Sequence, residues 1–314
     1  MILAVAALAA ALAVSRPAPA DLETRGEGVT VRYAAAAASA ARDIAAIAPS
    51  VRADVADRLG LPLPAESSVE LALDLAEFET RVGAGVERWA AGVTFPREAR
   101  VVIRLDAVAP RGGATLREVY RHEAVHLAFG TLPARAPRWF EEGVAQWFAG
   151  RLVLGDPDQL AITYRLGQAH RFSDLEDAFP SDERAAALAY VQSESIVRHM
   201  VDRFGQVSLR GVLARFARGG DFKASLIEAL GVPLVDVEVS WGEEMKGRGP
   251  LALLLLRSIP LFAFVAILVV LGFARARRRR SRMLDRFDSE PSPDDGDESQ
   301  RDSAAEPSDD PPRP

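Results

Sequence analysis

Hydrophobic and polar positions divide the chain into three regimes. Two long apolar blocks, residues 1–20 and 251–274, bracket a region in which apolar residues recur at strand or helix spacing, and a polar tail follows. Within the middle region, Val29–Tyr33 reads as a short strand. An Ala-rich helical run from Ala34 through Arg58 follows, with a break expected near Pro49 and a stop at Gly60-Leu-Pro-Leu-Pro64. Val69–Leu75 alternates like a half-buried strand, and Val101–Leu105 is a second β-rich run. An edge strand at either place, lying over a site, would offer free backbone groups to an extended peptide; an ordinary core strand fits the same pattern.

Helical spacing then takes over. Leu116–Phe129, Arg138–Phe148, Ala185–Phe204, Leu209–Ala217, Phe222–Leu230 and Pro233–Met245 are predicted helices, with Gly130, Gly150, Gly205 and Gly231 at their ends. The pattern predicts an α+β domain over residues 21–250, a small sheet first and helices after. At about 230 residues, such a domain can bury enough apolar surface to fold without staples. It has to, because the chain contains no cysteine.

The flanking blocks carry expectations of their own. Residues 1–20 are apolar apart from Ser15 and Arg16 and close on Ala18-Pro19-Ala20, a small-residue pattern that suits signal peptide cleavage. The n-region lacks a positive charge, so an uncleaved signal anchor stays open as the alternative. Leu251–Ala274 has the length of a membrane-spanning helix, with Arg257 near enough to its start to snorkel. Arg275, Arg277, Arg278, Arg279, Arg280 and Arg282 follow at once, which places the C-terminal side in the cytoplasm and the 21–250 domain outside. Met283–Pro314 holds eleven acidic residues against three arginines, a balance of −8, with many Pro and Ser; residues 275–314 read as a basic and then acidic disordered tail. The overall charge of −6 is dominated by these ends. No basic face interleaved with aromatics occurs elsewhere, so nucleic acid is not an expected partner.

The chemistry lies in His122-Glu123-Ala124-Val125-His126, an HExxH pattern inside a predicted helix. Two imidazoles four residues apart stand one above the other on a helix face, so both reach one ion, with the Glu beside an open coordination position. Without cysteine, any metal must sit on His and carboxylate, and a catalytic zinc takes three protein ligands and leaves a fourth position to water. Fifteen residues beyond His126, the run Pro137-Arg-Trp-Phe-Glu-Glu-Gly-Val-Ala-Gln-Trp147 supplies a third carboxylate, Glu141 or Glu142.

HExxH followed by a helix bearing Trp-x-x-Glu-Gly resembles the gluzincin peptidases, in particular their peptidase MA-like branch, and the similarity runs from about Val29 to Met245. The resemblance implies a zincin-like fold and Zn2+ held by His122, His126 and Glu142. It also implies Glu123 as the general base and a peptide or protein as substrate. The family's Glu-Gly dipeptide favours Glu142 over Glu141, and at about 100° per residue only one of two adjacent helical side chains readily faces the ion. Gln146 falls where related enzymes carry an acidic partner for a ligand histidine. Tyr190, in the same chain order as the catalytic Tyr of related gluzincins, is the candidate donor to a developing oxyanion, with a buried core Tyr as the alternative. His170 and His199 read as surface or packing residues and stay outside the site.

The expected protein is thus a single-pass membrane-anchored zinc metallopeptidase with its domain outside. The alternative is a catalytically silent zincin-fold protein that binds or tethers partners at the membrane, the Arg cluster contacting anionic lipid.

Overall fold

The computed structural model describes residues 22–83, 86–108, 115–150 and 157–248, together with 266–271, 273 and 275. Five strands form one sheet: β1 (Leu22–Gly26), β2 (Val29–Tyr33), β3 (Ser67–Ala72), β4 (Gly92–Phe95) and β5 (Arg100–Arg104), in the order β1-β2-β3-β5-β4. β1 and β2 pair antiparallel, β2, β3 and β5 run parallel, and β4 pairs antiparallel with β5. Nine helices are described: α1 (Ala38–Leu59), α2 (Leu75–Val82), α3 (Leu116–Phe129), α4 (Arg138–Ala149), α5 (Pro157–Arg165), α6 (Glu183–Phe204), α7 (Gln206–Phe216), α8 (Phe222–Leu230) and α9 (Leu234–Gly247). All five strands precede α3, with α1 and α2 set between them, and the other seven described helices follow the sheet.

The period of two along the strands sorts their side chains between two cores. Val69, Leu71, Val101 and Ile103 join α1 and α3 in the main core, while Ala72, Val93 and Val102 meet Phe78 and Val82 of α2 on the other face. β3 lies between parallel β2 and β5, and β5 between parallel β3 and antiparallel β4, so both are interior strands and the core-strand alternative holds in place of the edge strand; β3 keeps the expected alternation over Ser67–Leu71, while β5 is buried throughout. β3 also ends earlier than expected. Asp74 caps α2 by accepting from the Glu77 N–H, which turns Leu75 into helix.

Four elements carry too weak a pattern to be read from sequence: the edge strands β1 and β4, and the short helices α2 and α5. Nor does the expected break at Pro49 occur. α1 runs through it, because Ile44, Ala48, Val51 and Val55 are all buried against the sheet and α3, and that packing offsets the roughly 3 kcal/mol a helical proline costs. Gly60, at φ 70°, ends α1 in the left-handed region open to glycine.

The chain divides after Gly249 into two compact units. Among the described residues no helix is long and apolar enough to cross a membrane. Most of Leu251–Ala274 lies outside the described residues, as do the expected signal peptide at 1–20 and the tail beyond Arg275.

Candidate metal centre

α3 begins on a capping box: the Thr115 hydroxyl accepts from the Glu118 N–H, and the Glu118 carboxylate accepts from the Thr115 N–H. One turn apart farther along, His122 and His126 are fully buried, with Nε2 atoms 3.1 Å from each other. α4 brings the third group. Glu142, 1% exposed, places Oε2 3.5 Å from His122 Nε2 and 3.6 Å from His126 Nε2.

What holds α4 in place is partly the residue after Glu142. A Cβ on Gly143 would stand 2.4 Å from the Ser193 carbonyl oxygen and 2.7 Å from Val197 Cγ2, so glycine is what lets α4 lie directly on α6. Trp139 and Phe140 secure the same helix through an aromatic cluster with Phe172 and Phe222.

These distances fit a metal. Tetrahedral bonds of about 2.0–2.2 Å put neighbouring donor atoms about 3.3–3.5 Å apart, close to the spacing of His122, His126 and Glu142. The three are the group among the described residues whose donor atoms converge in this way. Both Glu142 oxygens are buried and accept no hydrogen bond of normal length, which suits a carboxylate whose partner is an ion.

The residues around this group tune it. Glu141, the rival for the third position, points elsewhere: its Oε1 lies 2.8 Å from His126 Nδ1. In the neutral ring that binds a metal, a proton held on Nδ1 and donated there leaves the His126 Nε2 lone pair facing Glu142 and His122. The partner expected at Gln146 is therefore supplied to His126 by Glu141, while Gln146 is buried on α4 with its amide nitrogen unpartnered. Arg138, one turn before Glu142, sets Nη2 3.5 Å from Glu142 Oε1.

Burial and charge pull the titrating groups apart. Burial drops the His122 pKa to about 4. It would also lower His126, but the carboxylates of Glu142 and Glu141 outweigh it and hold that ring well above its ordinary range. Burial acts against ionised Glu142 as well, and the charge on His126 with hydrogen bonding to both rings keeps its carboxyl well below the usual values. Glu123, fully buried, is pushed up to about 7 chiefly by desolvation, with His126 and Thr94 pulling the other way.

Tyr190 reaches the same neighbourhood from α6. It is 1% exposed and packs edge-on against Phe179, with Trp89 beside it. Its hydroxyl makes no hydrogen bond of normal geometry, and its pKa is raised well above 10 by burial and by Glu142, with Arg138 acting in the opposite direction. The other two histidines are structural. His170 ties its loop to α6 through the Gln192 side chain and the Ala185 carbonyl; His199 joins α6 to α9 through Glu244 and Ser240.

Two contacts escaped sequence reasoning. The Thr94 hydroxyl on β4 donates to Glu123 Oε2 at 2.6 Å across a separation of 29 residues, with nothing local to signal it. Arg138 did carry a signal, a cation four residues before a carboxylate on one helix.

Comparison with known proteins agrees with this geometry. The sequence pattern of the Peptidase MA superfamily matches residues 84–247, which contain α3, α4 and α6. The chain is also 25% identical over 150 residues to uncharacterized protein YhcO of Bacillus subtilis (strain 168), and the match covers 45% of each chain.

Proposed function

Since the chain belongs to the Peptidase MA superfamily, we propose that it is a zinc-dependent metallopeptidase that hydrolyses peptide bonds. The observation that supports this reading most is the convergence of three buried donor atoms, from His122, His126 and Glu142, on one point between α3 and α4. A bound zinc ion supplies Lewis acidity and makes water acidic enough to lose a proton near neutral pH.

The chain's own residues do the rest. Glu123 follows His122 directly on α3, and its Oε1 is buried without a hydrogen-bond partner. That oxygen takes a proton from water and returns it to the leaving amine. Its raised pKa, near 7, suits a group that must both accept and release a proton close to neutrality. Tyr190 donates its phenolic hydrogen to the oxygen on which negative charge develops. Apolar packing by Phe179 and Trp89 keeps water from that hydroxyl.

The protein's place is proposed from sequence: a leader at 1–20, a membrane span at 251–274 and the Arg cluster on the cytoplasmic side, with the catalytic domain outside. A Glu123→Gln variant of the full-length protein, assayed against a peptide library, tests the enzyme reading. It is expected to retain zinc and lose cleavage. Zinc without cleavage in the natural protein would favour a silent binding role instead.

A further inference from the structure

Glu123 is approached from outside the metal group by the edge strand β4. Gly92 and Thr94, two residues apart, present the same strand face, and β4 packs against α3. The Thr94 hydroxyl lies 2.6 Å from Glu123 Oε2 and 3.2 Å from the Glu123 carbonyl oxygen. A hydroxyl has one hydrogen to give, and the nearer, charged acceptor takes it. Thr94 is 1% exposed, so no water competes for that bond.

The second oxygen, Oε1, faces Gly92. A Cβ at Gly92 would stand 2.6 Å from Oε1 and 2.9 Å from Cδ. The glycine is not required by its backbone, since Gly92 is absent from the positive-φ positions. Glycine inside a strand weakens it, and the usual reason for its presence is close approach by another group. Here that group is the Glu123 carboxylate.

We propose that Thr94 and Gly92 are positioning residues for Glu123: Thr94 fixes the carboxylate through one oxygen, and Gly92, by lacking a Cβ, lets the carboxylate lie against β4 with the other oxygen free of hydrogen bonds. A carboxylate can accept about four hydrogen bonds, and this one receives a single side-chain donor, on Oε2. The arrangement restrains rotation while leaving the proton-accepting oxygen unoccupied. The inference rests on Glu123 acting as the general base.

The test compares Thr94→Val, nearly equal in shape but without the hydroxyl, with Thr94→Ser, which restores it, in the zinc-loaded full-length protein. Against the best substrate from a peptide-library digest, Thr94→Val is expected to lose about 10- to 100-fold in kcat with KM within about twofold, the range set by one hydrogen bond to a charged group. Thr94→Ser should stay within about threefold of the natural protein, and zinc content should be equal in all three. Gly92→Ala should push the carboxylate away from β4 and lower kcat, with zinc content unchanged.

N-acetyl-leucine hydroxamate binding, measured by calorimetry, gives a readout without turnover, because a correctly aimed Glu123 must accept the hydroxamate proton. About tenfold weaker binding is expected in Thr94→Val and no change in Thr94→Ser. Equal binding and equal kcat in the Val and natural forms, or a Ser form as impaired as the Val form, would overturn the proposal. Natural protein that binds the hydroxamate but cuts no peptide would refute the peptidase reading alone, with the hydroxamate ratio still deciding the role of Thr94. Natural protein that binds no hydroxamate overturns both.

Discussion

Glu141 Oε1 lies 2.8 Å from His126 Nδ1, so two adjacent glutamates divide their work: Glu142 faces the point where the imidazoles converge, and Glu141 orients one of those rings from behind. Glu141→Gln keeps the side chain's shape and weakens its acceptor. Loss of such a partner typically costs 10- to 100-fold in metal affinity. Chelator competition should show zinc affinity lower by about that factor in Glu141→Gln, with thermal stability of the metal-free protein nearly unchanged. Unaltered affinity would mean that the contact does not orient the ring.

Gly143→Ala tests the packing that places Glu142. The added methyl would meet the Ser193 carbonyl, a backbone atom that cannot swing aside, so α4 must shift from α6. The expected cost is about 1–3 kcal/mol, read from thermal or denaturant unfolding. Zinc affinity should fall with it, since Glu142 rides on the same helix.

Much of the site is legible in the sequence because it is local. The HExxH spacing, the helix around it and the carboxylate at Glu141 or Glu142 depend only on helical periodicity and donor chemistry. Choosing between the two glutamates needed a family resemblance; in the fold Glu142 lies with the two imidazoles, and Glu141 sits beside His126 Nδ1, in the place foreseen for Gln146. β4 illustrates the opposite case. A four-residue strand with no alternation becomes a strand only by pairing with β5, so neither it nor Thr94 could be found before the fold was known. The continuous α1 makes the same point, since Pro49 is tolerated for reasons of tertiary packing.

Tyr120, on α3 and 3% exposed, gives a stability prediction with a definite sign. Burial pushes its phenol up to about 12 from the ordinary 10. Above pH 10 the unfolded chain loses this proton first, so stability fully present below pH 10 is lost as pH rises toward 12. At about 1.4 kcal/mol per pH unit, the loss is roughly 2–3 kcal/mol. Urea unfolding at pH 9 and pH 11.5 should reveal the decline, and Tyr120→Phe should remove a large part of it. An equally steep decline in the Phe variant would assign it to other groups.

Tyr190→Phe removes a hydroxyl that makes no hydrogen bond of normal geometry, so folding stability should change by less than about 1 kcal/mol. As an oxyanion donor, its loss should lower kcat by about 100- to 1,000-fold with zinc content unchanged. A kcat within a factor of two of the natural protein's would return Tyr190 to the role of a core aromatic beside Phe179.

Metal stoichiometry of the purified full-length protein, by elemental analysis, bears most directly on the centre built by His122, His126 and Glu142. One zinc per chain is expected in the natural protein and in Glu123→Gln, with loss of zinc in His122→Ala and in Glu142→Ala. A natural protein that takes up no zinc, or a His122→Ala variant that keeps it in full, would contradict the proposed centre.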